Sequence, residues 1–171
     1  SDIIGGALIA KEQSVGDELK WWANCLGVTA GAFDSYQTLR GLRTLLPRIK
    51  QHQHNAALVV DYLQQQPLVN KVYYPGLPDH PGHAIAKAQQ FGFGSMLSFD
   101  LATDEALLPV FFSALKCFTL AQSLGGIESL ICHPGSMTHA SLDAATQKAA
   151  GIGPTLIRLS VGIEDAAELI A

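Results

Sequence analysis

The chain has 171 residues, 48% of them hydrophobic and 15% charged, with a formal net charge of -4 at pH 7. That length is enough to bury a real core, and that balance excludes the basic stripe with which a nucleic-acid binder neutralises phosphates. Low charge combined with high apolarity points to surface buried against something beyond the chain's own core.

Three cysteines, Cys25, Cys117 and Cys132, are odd in number and share no short ligand spacing. Neither a disulfide framework nor a zinc site is expected, and no metal; a reduced compartment fits. No apolar stretch approaches the roughly 20 residues of a membrane helix, and the opening residues do not read as a targeting leader. The expected location is cytoplasmic. Ser1 is not a start residue and Ile170-Ala171 falls inside an unfinished helical pattern, so both ends read as cut from something longer.

In chain order, residues 3–10 read as an apolar strand and residues 17–26 as a helix, followed by a glycine-bounded break at 27–31. Asp34 with Gln37 three residues later forms a capping-box signature. From there Leu39, Leu42, Leu46, Ile49, Ala56, Val60 and Leu63 recur at three- to four-residue steps, interrupted by a polar gap at 51–55. A long helix follows from that period. Pro47 cannot donate to the helical ladder and crowds the carbonyl of Arg43, which predicts a kink or two consecutive helices.

Pro67 ends that segment, and strands then alternate with short helices. Strands are expected at 69–74, 94–100, 118–120, 129–132 and 156–163. Helices are expected at 83–90, closed by Gly92, at 103–115 with Thr103 as cap, at 143–150 stopped by Gly151, and from about Glu164. In 94–100 the period is two, with Met96, Ser98 and Asp100 on one face and Leu97 and Phe99 on the other. The pattern predicts an α+β arrangement, a small antiparallel-rich sheet covered by helices on one face, preceded by a strand and long helix of another, α/β layer. Residues 1–66 and 67–171 are the two expected domains.

Arg158 stands between Ile157 and Leu159 in an otherwise apolar strand, and a guanidinium held there needs an anion or solvent. From the residues alone two readings stay open. One is a salt bridge to Glu128 or another carboxylate, or simple exposure; the other is a planar fork gripping a substrate carboxylate. Gly125 and Gly126 allow a bend that brings main-chain groups close to a ligand, or a plain strand connection. The pairs His52/His54 and His80/His83 lack metal-ligand spacing and read as solvated helix surface and turn polarity. His133 reads as a structural loop histidine, and Trp21-Trp22 as core or interface packing.

Six stretches taken together resemble the Cys/Met-metabolism family of pyridoxal-phosphate (PLP) enzymes. They are the segment from Asp34 to Leu45; Val72-Tyr-Tyr-Pro-Gly-Leu77 with His80-Pro81; Phe91 to Phe99; Ala121-Gln-Ser-Leu-Gly-Gly-Ile-Glu-Ser-Leu130; His133-Pro134 with Met137-Thr-His-Ala140; and Leu156-Ile-Arg-Leu-Ser-Val-Gly-Ile-Glu164. They span almost the whole chain in the family's order. Trp21-Trp22-Ala-Asn, the Phe118-Thr-Leu stretch and Gly162-Ile-Glu-Asp165 look most like the bacterial cystathionine γ-synthase branch.

The resemblance implies the carboxy-terminal part of an aspartate-aminotransferase-like fold, whose large domain carries PLP on a lysine and whose small domain closes the site. It also implies that this lysine lies upstream of Ser1, since none of the seven lysines here stands in the family's Ser-x-Thr-Lys context, and that no catalytic residue is present in the chain. Arg158 matches the arginine that binds the substrate α-carboxylate, and Ser123 the serine beside the cofactor. Gln122 stands where related enzymes carry glutamate, which puts the second substrate in question. The activity implied is replacement at the γ-carbon of an O-acylhomoserine by cysteine, by an enzyme of small amino-acid substrates that assembles as a homotetramer, without nucleic-acid or membrane partners.

Overall fold

A computed structural model describes residues 2–171; Ser1, read as a cut end, lies outside them. Two compact units divide the chain, one ending at Leu46 and one running from Pro47 to Ala171. The first holds α1, Gln13–Leu26, and α2, Ala32–Arg43. A third helix, α3, spans Leu45–Gln64, and all its buried residues belong to the second unit. Two consecutive helices therefore meet at Thr44, three residues ahead of Pro47, whose ring sits in the first turn of α3, where a missing N–H leaves no intrahelical bond unmade.

Two expectations fail in the first unit. Residues 3–10 form no strand, because a strand is completed by ladder bonds from a neighbour and no described strand pairs with them. Asp34 does not cap α2: Gly31 takes that place, and Asp34 lies inside the first turn, where its negative charge suits the helix N-terminus.

The second unit is a five-stranded sheet under helices. Its strands are β1, Val69–Tyr73; β2, Met96–Leu101; β3, Thr119–Leu120; β4, Leu130–Cys132; and β5, Leu156–Ser160, in the spatial order β1-β2-β5-β4-β3. Only the β3/β4 pair is parallel. The helices are α4, His83–Gln89; α5, Leu108–Ala114; α6, Ala144–Ala149; and α7, Ala166–Leu169. Ala56, Val59, Val60 and Leu63 of α3 form one buried cluster with Leu97, Phe99, Ile157, Leu159 and Val161 from the sheet, joined by Leu108 of α5 and Leu169 of α7. This is the α+β layer pattern, with helices on one sheet face.

Caps explain two further shifts. Asp104, not Thr103, accepts the N–H of Ala106 and opens a single 3-10 turn at Glu105–Leu107 before α5, whose Pro109 sits harmlessly in the first turn. The α4 helix stops at Gln89 with Gln90 already extended, so Gly92 is not its cap. Among the described residues no helix is long and apolar enough to cross a membrane.

The polar gap at 51–55 is the largest departure from the sequence reading. His52 is not solvated but buried, and its Nδ1–H donates to the carbonyl of Val161 at 2.7 Å. Asn55, fully buried, donates to the carbonyls of Gly162 and Glu164 at 3.1 and 2.8 Å and accepts from Gln51. Strand β5 ends there, and its carbonyls would otherwise have no ladder partner. The gap therefore sews α3 to the end of β5. His54 alone of that pair is exposed.

Candidate functional site

Central strand β5 presents different chemistry on its two faces because successive side chains alternate. Ile157, Leu159 and Val161 enter the core, while Leu156, Arg158 and Ser160 share the opposite face. The register places Arg158 between Ser98 of β2 and Cys132 of β4, and Ser160 between Met96 and Leu130. Arg158 is half-buried, with its stem covered and its head reaching the connection between β3 and β4.

That connection contains Gln122 and Ser123. Arg158 Nη2 donates to the carbonyl of Gln122 at 2.8 Å and to that of Ser123 at 3.3 Å. The three residues singled out in the sequence are thus brought together, through main-chain oxygens rather than side chains. The side chains of Gln122 and Ser123 are exposed. Among the described residues no carboxylate pairs with Arg158; Glu128 instead lies over Gly126. Five N–H groups line a guanidinium; the bonds to the loop come from one nitrogen and the thiol of Cys132 bonds the same head group, and no carboxylate among the described residues takes the N–H groups that remain.

Cys132 packs beside this guanidinium. Burial raises its thiol pKa, and the positive charge of Arg158 offsets part of that rise. At the sheet edge Tyr73 donates its phenolic proton to Asp100 at 2.6 Å, and this bond, with burial and the carboxylate charge, pushes the phenol up to about 12.

Two anchors fix the loop and the end of β5, and sequence reasoning missed both. Ser160 Oγ accepts the N–H of Gly125 at 2.8 Å, where Gly125 has φ +75°, a left-handed angle that side chains resist. Its signal was its position two residues after Arg158, on the same strand face. The second anchor is Glu164, whose carboxylate accepts from both N–H and Oγ–H of Ser129 at 2.6 and 2.8 Å, while Ser129 Oγ accepts from Gly162 N–H at 2.8 Å. Gly162 lies so close to the backbone of Ile127 and Glu128 that a Cβ would collide with it.

The histidines take structural roles. His133 is buried; its Nε2–H donates to the carbonyl of Pro154 at 3.0 Å, leaving Nδ1 to accept from Ser136 at 2.8 Å, so neither nitrogen is free. His83 stacks on Phe93 and bonds the carbonyl of Pro75. Trp21 and Trp22 are not core: both rings are exposed, 4.7 Å apart edge to face. A cavity of about 640 Å³ is lined by Leu108, Phe112, Leu120, His133 and Met137, but not by Arg158.

The family model for Cys/Met metabolism PLP-dependent enzymes matches residues 1–171. The chain is 57% identical over 171 residues to a cystathionine γ-synthase of Escherichia coli K12, covering 100% of this chain and 44% of that protein. It is 46% identical over 170 residues to a cystathionine β-lyase of Coxiella burnetii, covering 99% and 44%. A crystal structure of cystathionine γ-synthase from Xanthomonas oryzae pv. oryzae in complex with aminoacrylate and cysteine superposes with a TM-score of 0.88 at 52% identity, covering 95% of this chain and 42% of that one. The chain spans less than half the length of these relatives.

Proposed function

The chain belongs to the Cys/Met-metabolism family of PLP-dependent enzymes, and from that premise we propose that it is the carboxy-terminal part of a cystathionine γ-synthase. The whole enzyme replaces the acyloxy group at the γ-carbon of O-succinylhomoserine, or another O-acylhomoserine, with the sulfur of cysteine. The observation that carries this reading is Arg158: a guanidinium on the central strand, without a carboxylate partner among the described residues and steadied by two loop carbonyls.

The residues present fit the substrate end of such a site. Bound PLP supplies an electron sink that lets a proton leave the substrate Cα. Arg158 receives the α-carboxylate and limits its rotation, which fixes the direction of the Cα–H bond. Ser123, beside it, lines the same side. None of the seven lysines stands in the family's lysine context. The lysine and the remaining cofactor contacts belong under this reading to the preceding domain, of which residues 1–66 form the end. We accordingly assign activity to the longer protein, a cytoplasmic homotetramer, and none to this chain alone. Tight retention of PLP by the isolated chain after gel filtration, read from its absorbance, would contradict that assignment.

Gln122 favours a second reading. Its amide is exposed and uncharged, so it attracts the ammonium of a second amino acid less strongly than a carboxylate does. A small thiol acceptor, as in an O-acylhomoserine sulfhydrylase, or a cystathionine or methionine γ-lyase reaction, suits that position. Full-length enzyme given O-succinylhomoserine and cysteine is expected to form cystathionine. Homocysteine formed from sulfide without cystathionine supports the sulfhydrylase; 2-oxobutyrate released from cystathionine or methionine supports the lyase. Arg158→Ala is expected to lower kcat/KM by about 1.5–3 kcal/mol equivalents, the worth of one charged hydrogen-bonded contact, with KM raised.

A further inference from the structure

The loop carrying Gln122 and Ser123 meets β5 at two points. Arg158 holds it by the carbonyls of Gln122 and Ser123, and Ser160, two residues on and on the same face, holds it by the N–H of Gly125. The two posts differ in stiffness. Ser160 is 1% exposed, sits in the ladder between β2 and β4, and carries a side chain with a single rotor. Arg158 is long, half-exposed and rich in rotamers, so its direction is set by what its head touches.

The bonds therefore have a direction of control. The buried hydroxyl fixes Gly125; the short span from Gly125 back to Ser123 and Gln122 fixes two carbonyls; those carbonyls fix the guanidinium. A loop free to drift would carry the carbonyls with it, and Arg158 would have to be ordered during binding rather than during folding.

We propose that Ser160 is a positioning residue for substrate binding: by accepting the Gly125 N–H it holds the loop that aims Arg158 at the substrate carboxylate. The proposal rests on the reading of Arg158 as the carboxylate anchor. Ser160 itself touches neither substrate nor cofactor and transfers no proton. Its contribution appears in KM more than in kcat, because what it sets is the readiness of the anchor.

A double-mutant cycle on the full-length enzyme tests this. Ser160→Ala is expected to raise KM for the amino-acid substrate about fivefold to tenfold, the worth of one neutral hydrogen bond, with kcat changed less. Ser160→Thr, which keeps the acceptor, is expected to recover most of that loss. In an Arg158→Ala background, Ser160→Ala is expected to add nothing further. Additive losses, with Arg158→Ala itself impaired, would show that Ser160 acts independently of the anchor and would overturn the proposal. An unchanged KM in Arg158→Ala alone overturns the anchor reading first, and this inference with it. Should Ser160→Ala fail to fold, Gly125→Ala carries the same cycle from the exposed loop, since a Cβ at φ +75° moves the N–H off Ser160. Non-additivity with Arg158→Ala is again the expected result, and additivity the overturning one.

Discussion

The two compact units invite comparison, since both are rich in apolar residues and only one buries them. No residue of α1 or α2 is buried; Trp21, Trp22, Phe33, Tyr36, Leu39 and Leu42 all stand exposed. From His52 onward the same residue types close over a sheet, and Ile157 and Val161 retain no exposure at all. Helical period alone cannot distinguish these cases. What distinguishes them is a second surface: α3 has β2 and β5 to cover, whereas a helix by itself has no layer to bury its stripe against. The exposed apolar surface lies largely in the first unit, whose large apolar side chains outnumber what it buries.

The sharpest way to break this comparison is a pair of truncations in the 171-residue chain. Ile157→Ala is expected to cost about 2–5 kcal/mol in urea unfolding, as a fully buried β5 side chain leaves a cavity. Leu42→Ala, on exposed α2, is expected to stay within about 0.5 kcal/mol. Equal losses would mean that α2 is covered in solution. Asn55→Ala sharpens the same contrast through polarity. It strips two donors from the buried carbonyls of Gly162 and Glu164, so a loss of roughly 2–3 kcal/mol is expected in the same measurement. A neutral outcome would mean that water replaces both bonds.

A smaller effect concerns the edge of the sheet. The Tyr73 phenol is held above its ordinary value of 10, at about 12, chiefly by its bond to Asp100. Between those values the unfolded chain has released a proton that the folded chain retains, so stability falls as pH rises from about 10 to about 12. Thermal melts of Tyr73→Phe against the parent are expected to diverge less as pH climbs through that window. A constant difference would mean that the phenol titrates normally.

Much of the second unit was legible because its strands are half-buried and must alternate. Met96, Ser98 and Asp100 lie on one side of β2 and Leu97 and Phe99 on the other, as the period of two requires. Residues 3–10, equally apolar, make no strand, since pairing depends on a neighbour that a local pattern cannot supply. The polar run at 51–55 looked like solvated helix for a related reason: whether His52 and Asn55 face water or the carbonyls of β5 depends on residues more than a hundred positions away.

The same division runs through the candidate site. Sequence alone singled out Arg158, Gln122 and Ser123, because a charge inside an apolar strand and a motif in a fixed order are visible without coordinates. Tertiary structure decided that Arg158 meets main-chain oxygens of Gln122 and Ser123 rather than the carboxylate of Glu128, and that Ser160 holds Gly125. Residue type fixes which bonds a side chain is able to make. Its actual partners follow from strand order, which places β5 between β2 and β4 and brings the β3–β4 loop over one face. That order is set by burial summed across the whole unit, which no short stretch of chain encodes.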